Sequence, residues 1–374
     1  MIVPFKNPIF VTRPFLPPLE EYRDGLQEIW ENAWLTNNGP VLQRYTRRLE
    51  DYLGTPNVCL FNNGTLALQI GLQGLKLEGE VITTPFTFVA TSHALFWNRI
   101  QPVFADIEPD YYTLDPAAVE AAITPRTTAI LAVHVFGFPC RHRELSSIAA
   151  RHGLKLVYDA AHAFGVTVDG GSIAQWGDLS MFSFHATKLY HSIEGGALVF
   201  ADAGLKKTFD YLKNFGFENE TEVVMPGTNA KMNEFQALMG LLVLDRMSEL
   251  IARRRAIAAL YRQRLTAVAG IKLAPALPVG VVSNHAYMPV EVLPEFPLSR
   301  DALYERLKTC NVFSRRYFYP LLTDFPCYRD LPRRDPLGVA KGVAERILTL
   351  PIYHDLALDD VQRICDMIQE VGNE

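Results

Sequence analysis

In the stretch FSFHATKLYHSIEGG (182–196), Lys188 stands among aromatic and small residues, with no run of charge around it. A lysine just past an apolar strand is often a surface residue whose stem lies along its neighbours. Shielded from water, the same amine loses its charge more readily and becomes a nucleophile able to hold an aldehyde. Upstream, Asp159 ends the apolar run LKLVYDA (154–160). A carboxylate there either caps a loop or faces a protonated heteroaromatic nitrogen, a pairing that is strong where the dielectric is low. In NNGTLALQIGL (62–72), Gly64 and Thr65 follow an apolar run and open a helical pattern. The amides of a helix start, with the threonine hydroxyl, form an N-cap turn or a cradle for phosphate. Asn229, in MPGTNAKMNEFQ (225–236), precedes a long helical pattern that it could cap. Each piece alone has an ordinary structural explanation. Together, in the order cradle, carboxylate, lysine, they supply what pyridoxal 5'-phosphate requires: a phosphate cup, a partner for the pyridine nitrogen and an amine for the aldehyde.

These groups need a rigid frame. The runs VCLFN (58–62), EVITT (80–84), PVFAD (102–106), TTAILAVHVF (127–136), LKLVYDA (154–160), LSMFSF (179–184) and ALVFA (197–201) read as buried strands. Amphipathic stretches such as TLALQIGLQGL and CRHRELSSIAARHG lie between several of them. Strands alternating with helices predict a mostly parallel, doubly wound α/β sheet. Ligands of such sheets sit beyond the carboxyl ends of the strands, where Asp106, His134, Asp159 and residues 183–188 all fall. From Lys231 to Leu265 the apolar spacing predicts one or two long helices. A proline-punctuated connection follows (273–282), then a strand, a helix near 299–309 and a last helix near 358–371. The expected organisation is a large α/β domain over 1–245, with the N-terminal segment, and a smaller α+β domain over 246–374.

With 374 residues, 49% hydrophobic and 21% charged, the composition is that of an ordinary globular chain. A net charge of −5 gives no reason to expect a nucleic-acid groove. Arg253, Arg254 and Arg255 read as the wet face of a helix. Five scattered cysteines without CxxC spacing predict neither a disulfide framework nor a metal site, and suit a reducing compartment. The N-terminal residues lack the basic-then-apolar order of a signal peptide. No apolar run approaches the roughly 20 residues of a membrane span. A cytoplasmic protein is expected.

Beyond these readings, the chain resembles the DegT/DnrJ/EryC1/StrS sugar aminotransferases, a branch of the fold-type I pyridoxal-phosphate transferases. The resemblance runs from WLTNNGP (34–40) through NNGTLAL, TTPFTFVATSHAL, PVFADIEPDYYTLDP, YDAAHAFG, FSFHATK and EGGALVF to TNAKMNEFQALMG, in the family's order. It implies that Lys188 carries the cofactor and that Asp159 partners the ring nitrogen. It further implies that His162 lies near the phenolic oxygen and Phe88 stacks on the ring. Gly64, Thr65 and Ser183 would cup the phosphate, and Asn229 would reach the phosphate of a neighbouring subunit, so that a homodimer shares its active sites.

Some positions depart from the family. Asn63 replaces the usual serine of the cup, which a backbone cradle should tolerate. Asn-Ala-Lys (229–231) stands where Asn-Tyr-Arg is frequent, which leaves a role for that arginine without a counterpart. Lys188 is intact, whereas a dehydratase branch has histidine there. SFHATK followed by Glu-Gly-Gly looks most like the viosamine-forming 4-aminotransferases. By that likeness the substrate is a nucleotide-linked 4-keto-6-deoxyhexose and the donor L-glutamate, with His185, Glu194, Tyr317 and Tyr319 expected beside the sugar nucleotide. The aromatic cluster RRYFYPLL (315–322) reads equally well as packing. Amination at C-3, or a sensor that binds cofactor or sugar nucleotide without turnover, remain the alternatives.

Overall fold

In the computed structural model, residues 3–331 and 335–372 are described. Every one of the seven apolar runs contributes a strand to a single sheet: β1 (Val58–Phe61), β2 (Glu80–Thr83), β3 (Gln101–Phe104), β4 (Thr127–Val133), β5 (Lys155–Asp159), β6 (Leu179–Ser183) and β7 (Gly196–Phe200). Their order is β1-β7-β6-β5-β4-β2-β3. The β6-β5, β5-β4, β4-β2 and β2-β3 pairs are parallel, and β7 runs antiparallel to both of its neighbours.

Both faces of this sheet are covered, which is why its strands read as unbroken apolar runs rather than as alternating ones. Successive side chains point to opposite faces. Cys59 and Phe61 of β1, Leu131 of β4 and Val157 of β5 thus join one cluster, which also holds Leu68 and Leu95 from the helices Gly64–Gly74 (α1) and Val89–Trp97 (α2). Ile130, Leu156 and Tyr158 point the other way, against Leu145 and Ile148 of the helix His142–His152.

The run 127–136 yields a shorter strand than its composition predicts. β4 stops at Val133, and His134–Gly137 turns sharply, with Phe136 at φ 56°. The helical pattern of 231–265 divides into α3 (Glu234–Leu244) and α4 (Met247–Leu265), separated where Arg246 leaves helical geometry (φ −103°, ψ 1°). Asn233, not Asn229, caps α3: its side chain accepts from the Gln236 amide while the Gln236 side chain accepts from the Asn233 amide.

Beyond α4 a second core forms around an antiparallel sheet of Ile271–Leu273, Met288–Val292 and Ile347–Leu350. Ile257, Tyr261 and Leu265 of α4 bury against Val290 and Leu348, with Ile364 and Ile368 from the last helix, Leu358–Gly372. Phe5 and Ile9 join this core, and the N-terminal strand Ile9–Phe10 pairs with Val312–Phe313. Among the described residues, no helix is long and apolar enough to cross a membrane.

Candidate active site

The carboxyl ends of β1, β2, β4, β5 and β6 open onto a cavity of about 320 Å³. Its wall includes Gly64, Thr65, Phe88, Asp159, His162, Ser183, His185, Lys188, Glu194 and Tyr317. Ten of the residues singled out from the sequence therefore converge. A larger cavity of about 660 Å³ lies elsewhere, lined by Arg141, Arg143, Glu144 and Asp169. Its two arginines already pair, Arg141 with Glu144 at 3.1 Å and Arg143 with Asp169 at 3.7 Å, so it offers little convergent chemistry.

The cradle forms where α1 begins. Asn63 is its N-cap, accepting the Leu66 amide at 2.8 Å, which is the task a serine would perform. The amides of Gly64 and Thr65 in that first turn have no helical carbonyl to bond and carry the positive end of the helix dipole. The helix start also sits against the end of β6, leaving no room for a side chain at Gly64. A Cβ there would lie 2.9 Å from Ser183 Cβ and 3.1 Å from its Cα. Gly196 is held to glycine likewise, since a Cβ would meet the Asn63 carbonyl and Gly64 Cα at 2.7 Å. Gly64→Ala should push α1 off β6 at a cost of about 1–3 kcal/mol. Titrating the apo-protein with pyridoxal phosphate should then show affinity reduced about tenfold or more, and unchanged affinity would refute the close-approach account.

Asp159, at the end of β5, is buried, and its carboxylate accepts the Thr91 hydroxyl at 2.8 Å and the Ala161 amide at 3.1 Å. Burial pushes its pKa up, and those two donors and the Lys188 charge offset the rise only in part. His162 follows on the same loop. Its Nδ1 accepts the Phe136 amide at 3.1 Å, so the neutral ring carries its proton on Nε2. Burial, then the Lys188 charge, hold its pKa well below the usual imidazole value. Phe318 stacks nearly parallel to this ring, 5.9 Å centroid to centroid. Phe88 precedes α2 and keeps 59% of its surface exposed, apt for stacking on a flat ligand. Lys188 extends from the turn after β6, and its Nζ donates to the Tyr287 hydroxyl at 3.3 Å. In the same turn His185 meets Thr187 Oγ1 at 2.7 Å and Glu194 at 3.4 Å.

Two expected residues are not in this wall. Tyr319 is packed over the Arg300 guanidinium, 4.4 Å from ring centroid to Cζ, and Asn229 is exposed beside Asn214. Asp106 and His134, which also fall at strand ends, serve structure instead. Asp106 accepts the amides of Val339 and Ala340 and so caps the helix Gly338–Arg346. Burial depresses the His134 pKa to about 3, and its neutral ring accepts the Cys140 amide at 3.0 Å and stacks on Tyr158. The sequence reading missed Thr91, Tyr287 and Phe318. Thr91 lies in the quoted TTPFTFVATSHAL, but nothing local distinguishes its hydroxyl from that of Thr84 or Thr87.

A helix-start anion cradle, an exposed aromatic face, a buried carboxylate and a lysine amine in one small cavity suit a phosphate-bearing pyridine aldehyde. Fold and site together define an α/β pyridoxal-phosphate enzyme. The chain belongs to the DegT/DnrJ/EryC1/StrS aminotransferase family, which it matches over residues 19–369. It is 45% identical to the dTDP-4-amino-4,6-dideoxy-D-glucose transaminase of Shigella dysenteriae, over 98% of this chain and all of that protein. The transaminase of the same name from Escherichia coli is likewise 45% identical, over 96% of this chain and 97% of its own. Among solved structures, DesI in the presence of its TDP-sugar product superposes with a TM-score of 0.94 at 38% identity, covering 100% of this chain and 95% of that one.

Proposed function

We propose that the chain transfers an amino group from L-glutamate to C-4 of a dTDP-4-keto-6-deoxyhexose, dTDP-4-dehydro-6-deoxy-D-glucose by preference, giving the 4-amino-4,6-dideoxy sugar. The observation that carries this reading is the 45% identity to two dTDP-4-amino-4,6-dideoxy-D-glucose transaminases over nearly the full chain. Bound in the cavity, pyridoxal phosphate supplies the electron sink that makes the carbon–nitrogen exchange feasible. Lys188 would hold the aldehyde, and its Nζ would take up and return a proton during the exchange. Because burial disfavours ionised Asp159, a cation at its side would stabilise the carboxylate, and a pyridinium nitrogen would provide one. His162 would donate from Nε2 to the phenolic oxygen, Phe88 would cover the ring, and the Gly64 and Thr65 amides with the Thr65 and Ser183 hydroxyls would hold the phosphate. His185, Glu194 and Tyr317 face the sugar side.

The same reading includes a homodimer in which Asn229 completes the partner's phosphate site. It is supported by the exposure of Asn229 outside its own cavity and by the exposed Phe215, Phe217 and Val223 on the neighbouring hairpin. As Asn233 caps α3, Asn229 is free of that duty. A cytoplasmic location accords with the soluble, diffusible substrates. The test is to incubate the enzyme with dTDP-4-dehydro-6-deoxy-D-glucose and glutamate and to locate the new amine by NMR. A C-4 amine with release of 2-oxoglutarate is expected; an amine at C-3, or no transfer, overturns the assignment.

A further inference from the structure

The cavity wall is completed from the C-terminal layer by Tyr287, which lies just ahead of the strand Met288–Val292. Its hydroxyl accepts from Lys188 Nζ at 3.3 Å, and its ring lies 4.6 Å from that of His162. Two neighbours hold it there. Asn284 is 1% exposed, and its amide donates to the carbonyls of His162 at 2.8 Å and Phe164 at 3.0 Å. Its oxygen accepts the Ala286 amide at 3.1 Å. Gly137 lets Asn284 approach this closely, since a Cβ at that position, where φ is +86°, would lie 2.7 Å from Asn284 Oδ1. From the other side comes Arg254, which the sequence places on the wet face of a helix; only Arg255 is exposed there, Arg253 is half-buried, and Arg254 is almost wholly buried, donating through Nη1 to the carbonyls of Ala286 and Ile352, both at 3.0 Å. Burying a guanidinium against carbonyls alone is costly, and here it pins the segment that carries Tyr287.

The bland explanation is that Tyr287 merely fills an aromatic wall with Phe136 and Tyr317. Packing requires only the ring. It gives no reason for the hydroxyl to meet Lys188, nor for a buried asparagine clamping the same segment to the loop that carries His162.

We propose that Tyr287 is a positioning residue: its hydroxyl, fixed through Asn284 and Arg254, aims the Lys188 amine at the reacting carbon. This rests on the reading of Lys188 as the cofactor and proton carrier, but not on the identity of the sugar. A misplaced reacting group of this kind costs on the order of a hundredfold.

The test is Tyr287→Phe, which keeps the ring. Three measurements are made: the rate at which apo-protein attaches pyridoxal phosphate to Lys188, followed by its absorption band; the rate of the half-reaction with glutamate alone; and the affinity for pyridoxamine phosphate, which forms no bond to the lysine. The expected result is attachment and half-reaction slowed about 10–100-fold with pyridoxamine phosphate affinity within about threefold of wild type. Asn284→Ala should reproduce this pattern, and the double variant should be no slower than the slower single one, as for residues acting through one contact. Wild-type rates in Tyr287→Phe would overturn the proposal. So would a loss of pyridoxamine phosphate affinity as large as the loss in rate, because Tyr287 would then shape the pocket rather than aim the amine. No nucleotide sugar enters these measurements, so an error in the substrate assignment shows only in the product of the wild-type enzyme.

Discussion

Lys188→Ala is expected to lower turnover by at least about 10⁴-fold, a barrier increase of roughly 5.5 kcal/mol. Among the described residues Lys188 is the single lysine in the cavity wall. Lys213 is committed to Asp210 at 2.6 Å, and Lys231 to Asn214 at 2.6 Å. The variant should bind pyridoxal phosphate through its cradle but show no absorption band of the lysine-bound cofactor, and it should release no 2-oxoglutarate from glutamate in repeated cycles. Retention of full turnover would remove the mechanism proposed above.

The second large effect concerns Asp159, and it has two parts of opposite sign. Asp159→Asn should lower kcat/KM by about 10³-fold, about 4 kcal/mol, because a neutral amide cannot hold a protonated ring nitrogen. The apo-protein should at the same time become more stable at neutral pH. Burial raises the folded-state pKa of Asp159 above that of the unfolded chain, so ionising it within the fold costs stability. The cost is absent below the ordinary aspartate value, near 3.9, grows as pH rises through the raised folded value, and is constant above it. Asparagine keeps an oxygen for the Ala161 amide and turns a donor towards Thr91, whose hydroxyl also lies 3.0 Å from that of Thr87. Melting curves of the two apo-proteins should therefore separate at pH 7, with Asn higher, and converge near pH 4. A variant that melts lower at both pH values while keeping wild-type kcat/KM would contradict both halves.

These two residues were legible before any coordinates, and the reason is local. Asp159 ends a strand and Lys188 lies in the turn after another, and both strands have an unmistakable apolar run because both faces of the sheet are buried. Gly64 and Thr65 were legible because a strand followed by a glycine and a good helix pattern specifies a helix start, with its unpaired amides, within a few residues. Fold class, the seven strands and the order of cradle, carboxylate and lysine thus follow from periodicity and turn chemistry, which act over short distances along the chain.

What local pattern could not decide is which of several equivalent groups the folded chain turns into the cavity. Asp106 and Asp159 are both aspartates at the carboxyl ends of strands, yet the helix Gly338–Arg346 descends on the first and consumes its oxygens. His134 and His162 both follow β4 or β5, but Cys140 and Tyr158 close over the former while the latter keeps a ring nitrogen free to donate. Tyr317 lines the site and Tyr319, two residues on, is drawn onto Arg300. Asn229 and Asn233 sit equally well ahead of a helical pattern, and only Asn233 has a glutamine placed to close a capping box. Tyr287 reaches Lys188 across 99 residues of chain, through a buried asparagine and a buried arginine whose partners are backbone carbonyls. Backbone carbonyls are present at every position, so the sequence carries no mark of which ones Asn284 and Arg254 will meet. Strands and turns were set by neighbours in the chain; the inner surface of the cavity was set by how loops and the C-terminal layer pack over the strand ends.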